Sequence, residues 1–131
     1  MVKTVKDMLE EANAAVPKVS LEEAQALLTN ENALMLDVRD GPEVEKSGKA
    51  TGAHHVSRGM IEFRADENTP FHDPQLRKDR PIVLYCASGG RAALAGKVLK
   101  DMGYQRVYNV GGFKDWAEAG GPVDEPLDPG M

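Results

Sequence analysis

The chain's single cysteine, Cys86, ends an apolar run and is followed by small residues and an arginine, in the stretch LYCASGGRAALAG at 84–96. A thiol there, with Ala87, Ser88, Gly89, Gly90 and Arg91 after it and a helical pattern beyond, has the parts of a nucleophile site. Glycines at 89 and 90 let a loop take conformations that strain other residues. Such a loop can aim several N–H groups at one point beside a helix N-terminus and bind an anion there. Those donors, the helix dipole and the Arg91 guanidinium favour the thiolate, the form of cysteine that attacks. A lone cysteine on a buried strand is more often a small hydrophobe. The order strand, cysteine, small-residue loop, arginine, helix is what weighs toward chemistry.

Other charged residues sit where chemistry or bracing would use them. Arg91 falls in a first helical turn, where a cation opposes the dipole unless an anion lies nearby. Asp37 and Arg39 close the run ALMLDV, and charges at the end of a buried strand need partners. Arg58, in HVSRGMIEF, follows a short strand and is the candidate for a second anion contact; the alternative is a surface arginine paired with Glu62. His54, His55 and His72 invite a metal reading. Adjacent histidines on a strand point to opposite faces, so no metal site is expected, and no cofactor.

The elements that must position these groups are legible as patterns. Val5, Met8, Leu9, Ala12 and Val16 recur at helical spacing until Pro17. Ser20 with Glu23 three residues later opens a helix over about 20–29. ALMLDV (33–38), HHV (54–56), PIVLYC (81–86) and RVYNV (106–110) read as strands, the first buried on both faces and the third the plainest of the four. The stretch 66–80 reads as mostly loop, with one helical turn from Asp73-Pro74. A helix over 91–103 carries Leu94, Val98 and Met102 four apart and stops at Gly103. GGFKDWAEAGG reads as turn, helix and stop, with Phe113 and Trp116 as core. Strands alternating with helices imply an α/β domain with a mainly parallel sheet, and sites in such folds gather at the carboxyl ends of strands. Cys86 is at one.

At 131 residues with 41% hydrophobic and 28% charged residues, the chain has the size and composition of one globular domain. A net charge of −5 argues against nucleic acid as a partner. No apolar stretch is long enough to span a membrane, no signal-peptide core opens the chain, and one cysteine forms no internal disulfide. The expected location is the cytoplasm. The expected organisation is an N-terminal helical extension at 1–17, a domain at 18–123 and a flexible acidic tail at 124–131.

LMLDVRDGPEV, TGAHHVSRG, IVLYCASGGRAALAGKVLKDMGY and VYNVGGFKDWAEAGGPV resemble, in that order, the motifs of single-domain rhodaneses, the thiosulfate sulfurtransferases. The likeness runs from about Ser20 to Val123. It implies a five-stranded parallel sheet between helices on both faces, with Cys86 as sulfur carrier and Asp37 and Arg39 as structural support. Gly48-Lys49-Ala50 departs from the family's usual Gly-His-Ile, with packing rather than chemistry expected to change. Cys86 and Arg91 enclose four residues, one fewer than in related phosphatases of the cell-division-cycle type, which suits sulfur better than phosphate. The implied reaction moves sulfane sulfur from a small anionic donor such as thiosulfate, through a Cys86 persulfide, to cyanide or an external thiol. The chain has no second cysteine to take it. The alternative is a non-enzymatic sulfur-relay or regulatory module acting with a protein partner.

Overall fold

In the computed structural model, which describes residues 2–125, helices α1 (Val5–Ala15) and α2 (Leu21–Asn30) come first. Both start with a capping box: Thr4 with Asp7, and Ser20 with Glu23, each exchange side-chain and backbone hydrogen bonds that satisfy N–H groups the helix leaves unpaired. Strand β1 (Leu34–Asp37), helix α3 (Gly41–Ser47), β2 (Lys49–Ala50) and β3 (His54–His55) follow. After a 3-10 turn at Arg58–Met60 come α4 (Ile61–Ala65), β4 (Ile82–Cys86), α5 (Gly90–Asp101), β5 (Val107–Gly112), α6 (Phe113–Glu118) and β6 (Val123–Asp124). Residues 66–80 form turns without a helix. Asp73 closes one of them, accepting from the Gln75 N–H through its carboxylate and from the Leu76 N–H through its carbonyl.

Four strands lie parallel in the order β3-β1-β4-β5. The five-strand expectation needs one correction. The outer edge of β5 is met only by a parallel bridge between Lys18 and Asn109, with the Val19 N–H donating to the Asn109 carbonyl at 3.0 Å and the Asn109 N–H to the Pro17 carbonyl at 2.9 Å. Pro17 lacks an N–H and α2 begins at Leu21, so the fifth strand is reduced to one residue. The segment after Val123 also differs from the expected tail in its first residues. Val123 and Asp124 pair antiparallel with β2, and residues 126–131 lie outside the described residues.

Strand periodicity divides the core in two. Leu34, Leu36, Ile82, Leu84 and Cys86 face α1, α4 and α5; Met35, Val83 and Tyr85 face α2 and Trp116 of α6. Both faces of β1 and β4 are therefore covered, which is why each reads as a continuous apolar run. On α5 the fully buried positions are Ala92, Ala93, Ala95, Gly96 and Leu99, while Leu94, Val98 and Met102 are half-buried. The small-residue face lets α5 sit low on the sheet and leaves room above it for α1. There Ala12 and Val16 are buried, but Val5 and Met8 of the same stripe remain 65% and 42% exposed.

A Cβ on Gly96 would stand 2.9 Å from a Val16 methyl and 3.3 Å from Val107. Val16 is stiff at χ1 and closes off α1, so it cannot swing away cheaply. Gly96→Ala should therefore lower stability by about 1–2 kcal/mol despite the helix propensity gained. Urea unfolding measures this; an unchanged or raised midpoint would contradict the packing.

Candidate active site

Strand β4 delivers Cys86, almost wholly buried, to its carboxyl end, and α5 begins four residues later. Between them the chain turns through Gly89, whose φ of +102° costs other residues strain. The turn folds N–H groups over the thiol: Sγ accepts from Gly89 at 3.0 Å and from Ala92 at 3.4 Å. The N–H groups of Ser88, Gly90 and Arg91 meet no protein acceptor among the described residues. Ala87 and Ser88 are exposed at the rim. Of the loop residues named from the sequence, Ala87 to Arg91, Gly89 places its N–H on the sulfur.

Two residues of β5 that were not read as part of the site from the sequence, Asn109 and Gly112, lie against this loop. Asn109, buried in β5, donates through Nδ2 to the Gly89 carbonyl at 3.0 Å and accepts the Gly111 N–H at 2.9 Å. A register shift accompanies it: Leu84 pairs with Asn109 but Tyr85 pairs with Gly111, leaving Val110 as a bulge. Gly112 then passes so close that a Cβ on it would stand 2.4 Å from the Ala87 carbonyl oxygen. Gly111-Gly112, read as a turn, belongs to the end of β5. The available signal was a polar residue in a strand pattern followed by two glycines.

Arg91 grips α3. Its guanidinium donates to both Glu43 carboxylate oxygens, at 2.6 and 3.0 Å, a bidentate pair. The hydrogen bond from Arg91 holds the Glu43 carboxyl down at about 2, and the same bond raises Arg91 above its ordinary value. The pair ties the first turn of α5 to α3. Glu43 was not singled out from the sequence because only the tertiary fold brings α3 to the loop.

Asp37 and Arg39 are both buried, and they satisfy each other. Arg39 donates through Nε and Nη2 to Asp37, through Nη1 to Ser47 and through Nη2 to the Gly48 carbonyl, at 2.7–3.1 Å. Its guanidinium carbon lies 4.3 Å from the Phe113 ring centre and 5.5 Å from that of Tyr85. Burial alone would lower the Arg39 pKa; the hydrogen bonds and charge of Asp37 outweigh it and raise it. The Tyr85 hydroxyl, pushed above its ordinary range by burial, donates to Asp37 at 2.7 Å and accepts the Ala50 N–H at 3.0 Å. In the Gly48-Lys49-Ala50 segment, Lys49 Nζ donates to the Ala53 carbonyl at 2.7 Å.

Arg58 does not join the loop among the hydrogen bonds of the described residues; it pairs with Glu62 at 3.0 Å, the surface alternative. His54 and His55 engage different partners, as strand alternation requires: His54 the Asp73 carboxylate, His55 the Arg39 carbonyl at 2.6 Å. Among the described residues no group of histidine, cysteine and acid side chains is arranged to hold a metal, and no helix is long and apolar enough to cross a membrane.

Asp37→Asn would leave the Arg39 charge buried without its counter-ion and should cost about 3–5 kcal/mol in denaturant unfolding; a loss below 1 kcal/mol would refute the pairing. The Glu43 carboxyl is depressed in the fold, so its contribution is complete above its ordinary value of 4.5 and is lost as pH falls toward about 2. The stability advantage of the wild type over Glu43→Gln should accordingly shrink across that interval. An advantage independent of pH there would mean that the carboxylate is not held.

Residues 20–119 match the family model of the rhodanese-like domain. The chain is 32% identical over 112 residues to the thiosulfate sulfurtransferase GlpE of Actinobacillus succinogenes, covering 84% of this chain and 92% of that one. It is 32% identical over 105 residues to the putative sulfur carrier protein YrkF of Bacillus subtilis, covering 79% of this chain but only 52% of that relative's length. A solved structure of a protein of unknown function from Rhodopseudomonas palustris, described as a possible tyrosine phosphatase, superposes with a TM-score of 0.87 at 38% identity and covers 95% of this chain and 96% of its own. The fold, the sulfur-centred loop and the match over residues 20–119 lead to one conclusion: the chain belongs to the rhodanese-like domain family.

Proposed function

We propose that this protein is a sulfurtransferase that carries sulfane sulfur on Cys86, with thiosulfate or a similar small anion as donor. The observation that carries this reading is the Cys86 Sγ set inside its loop, with the Gly89 and Ala92 N–H groups on it and those of Ser88, Gly90 and Arg91 unengaged nearby. The Cys86 thiolate attacks the outer sulfur of thiosulfate. A new S–S bond forms, the old one breaks, and sulfite leaves with the bonding pair. The terminal sulfur then carries the negative charge, which preorganised N–H donors stabilise without reorganising. Cyanide or an external thiolate attacks that sulfur, takes it and returns the Cys86 thiolate, a ping-pong cycle. No general base is needed once the thiolate is present. Arg91, held by Glu43, fixes the end of the loop; Asp37 and Arg39 brace its surroundings.

Cys86 is only 1% exposed, and one relative is named as a putative sulfur carrier. These favour, as a second reading, a relay module that takes sulfur from a partner protein's persulfide rather than from thiosulfate. The phosphatase description of the Rhodopseudomonas palustris protein is weighed by the loop: four residues between Cys86 and Arg91 make a cradle tighter than the one phosphatases of the related type use.

The deciding measurement is intact mass after incubation with thiosulfate, for the wild type and Cys86→Ser. Gain of one sulfur atom, removed by cyanide and absent from Cys86→Ser, is expected. A folded wild type that gains nothing from thiosulfate but gains sulfur from a persulfidated protein would favour the relay reading. Turnover of an aryl phosphate ester with no sulfur uptake would replace both.

A further inference from the structure

A cleft beside the loop opens between α1 and the edge of β5, with Ser88, Gly89 and Gly90 of the loop lining one side of it. Its volume is about 350 Å³, within the range of small-molecule sites. Leu9 and Asn13 of α1 form one wall, Lys18 and Val19 the floor, and Ser88 of the loop and Val110 of β5 the far side. The wall exists because α1 packs along α5; residues 5–15 lie outside the stretch that matches the family model.

The chemistry of the lining is uneven in a telling way. No aspartate or glutamate lines the cleft. Lys18 forms no ion pair among the described residues of a chain of net charge −5, whereas Lys3 pairs with Glu11, Lys97 with Asp101 and Arg91 with Glu43. Asn13 and Ser88 offer polar groups with no hydrogen-bond partner among the described residues, while Leu9, Val19 and Val110 offer apolar surface. A water's share of liquid volume is about 30 Å³, so an inorganic ion would leave most of this space unfilled. An anion with a short apolar body would match both halves.

We propose that this cleft binds a small organic anion, with its carboxylate or sulfonate on Lys18 and Asn13 and its hydrocarbon part against Leu9, Val19 and Val110. Ser88, Gly89 and Gly90 of the sulfur loop line the cleft but Cys86 does not, so the site adjoins the sulfur cradle without including the sulfur. It also touches the loop's support. Asn109, which also lines the cleft, holds the Gly89 carbonyl, and the Gly89 N–H is on Sγ. A bound ligand therefore leans on the outer side of the sulfur cradle.

The test is a titration of the full chain, labelled with nitrogen-15, with hexanoate, and in parallel with hexanol and with sulfate. Hexanoate is expected to produce saturable amide shifts at Leu9, Asn13, Lys18, Val19 and Val110, while the neutral alcohol and the tail-less anion do not saturate at the same concentration. Lys18→Gln should weaken hexanoate about tenfold and Lys18→Arg should restore most of it. Lys18 is exposed, so neither change threatens the fold, and sulfur uptake from thiosulfate without hexanoate should be the same in both variants and the wild type. Shifts scattered over the surface, equal shifts with hexanol, saturation with sulfate, or an affinity indifferent to Lys18→Gln would each overturn the proposal. Loss of sulfur uptake in Cys86→Ser with hexanoate binding retained separates this site from the sulfur chemistry.

Discussion

A guanidinium withdrawn from water costs several kcal/mol unless its donors and its charge are both met. Arg39 is in that position, and the way it is met organises one side of the molecule. Asp37 at the end of β1 supplies the counter-charge, Ser47 and Gly48 at the end of α3 supply oxygens, and Tyr85 of β4 and Phe113 of α6 supply ring faces. Tyr85 passes the constraint on by donating to Asp37 and accepting from Ala50 of β2. Its neighbour in sequence, Cys86, points to the opposite face of the same strand. The cluster that fixes the path of β4 up to residue 85 therefore fixes where the sulfur emerges, without touching it.

Beyond Cys86 the constraint is one of close approach. From Ala87 to Gly90 the loop has no long side chain, so its neighbours hold it. Asn109 fastens the Gly89 carbonyl, Gly112 lies against the Ala87 carbonyl where no Cβ fits, and Arg91 ties the far end to Glu43. The bulge at Val110 aligns these contacts, because it advances β5 by one residue relative to β4 just below the loop. A cradle of backbone N–H groups suits a charge that moves from Sγ to a terminal sulfur, since backbone donors are fixed in direction before reaction begins. The small residues of α5 serve the same geometry from the other side, letting the helix that opens with Gly90 sit low on the sheet.

Much of this was legible in the chain. Doubly covered strands write themselves as unbroken apolar runs, as at 34–37 and 82–86, and capping boxes mark helix starts because the chemistry that satisfies the first N–H groups is local. The placement of Cys86 at a strand's carboxyl end followed from those local signals. Arg58, read as a candidate anion contact, pairs with Glu62 four residues on, a partner that the helical spacing also offered. The fifth strand shrank to the Lys18 bridge because Pro17 and the start of α2 leave no length for more.

The sequence by itself determined that the single cysteine ends a buried strand, how many residues part it from Arg91, and the parallel α/β architecture. These depend on residue type, on short spacing or on a count, which folding does not alter. Only the tertiary structure decided that Arg91 answers to Glu43, that Asn109 and Gly112 support the loop, and that α1 walls a cleft beside it. Each of those contacts joins residues separated by whole elements of the chain. Which partner a charge finds at such a distance is settled by how helices pack on the sheet, and no pattern within a few residues of either partner records it.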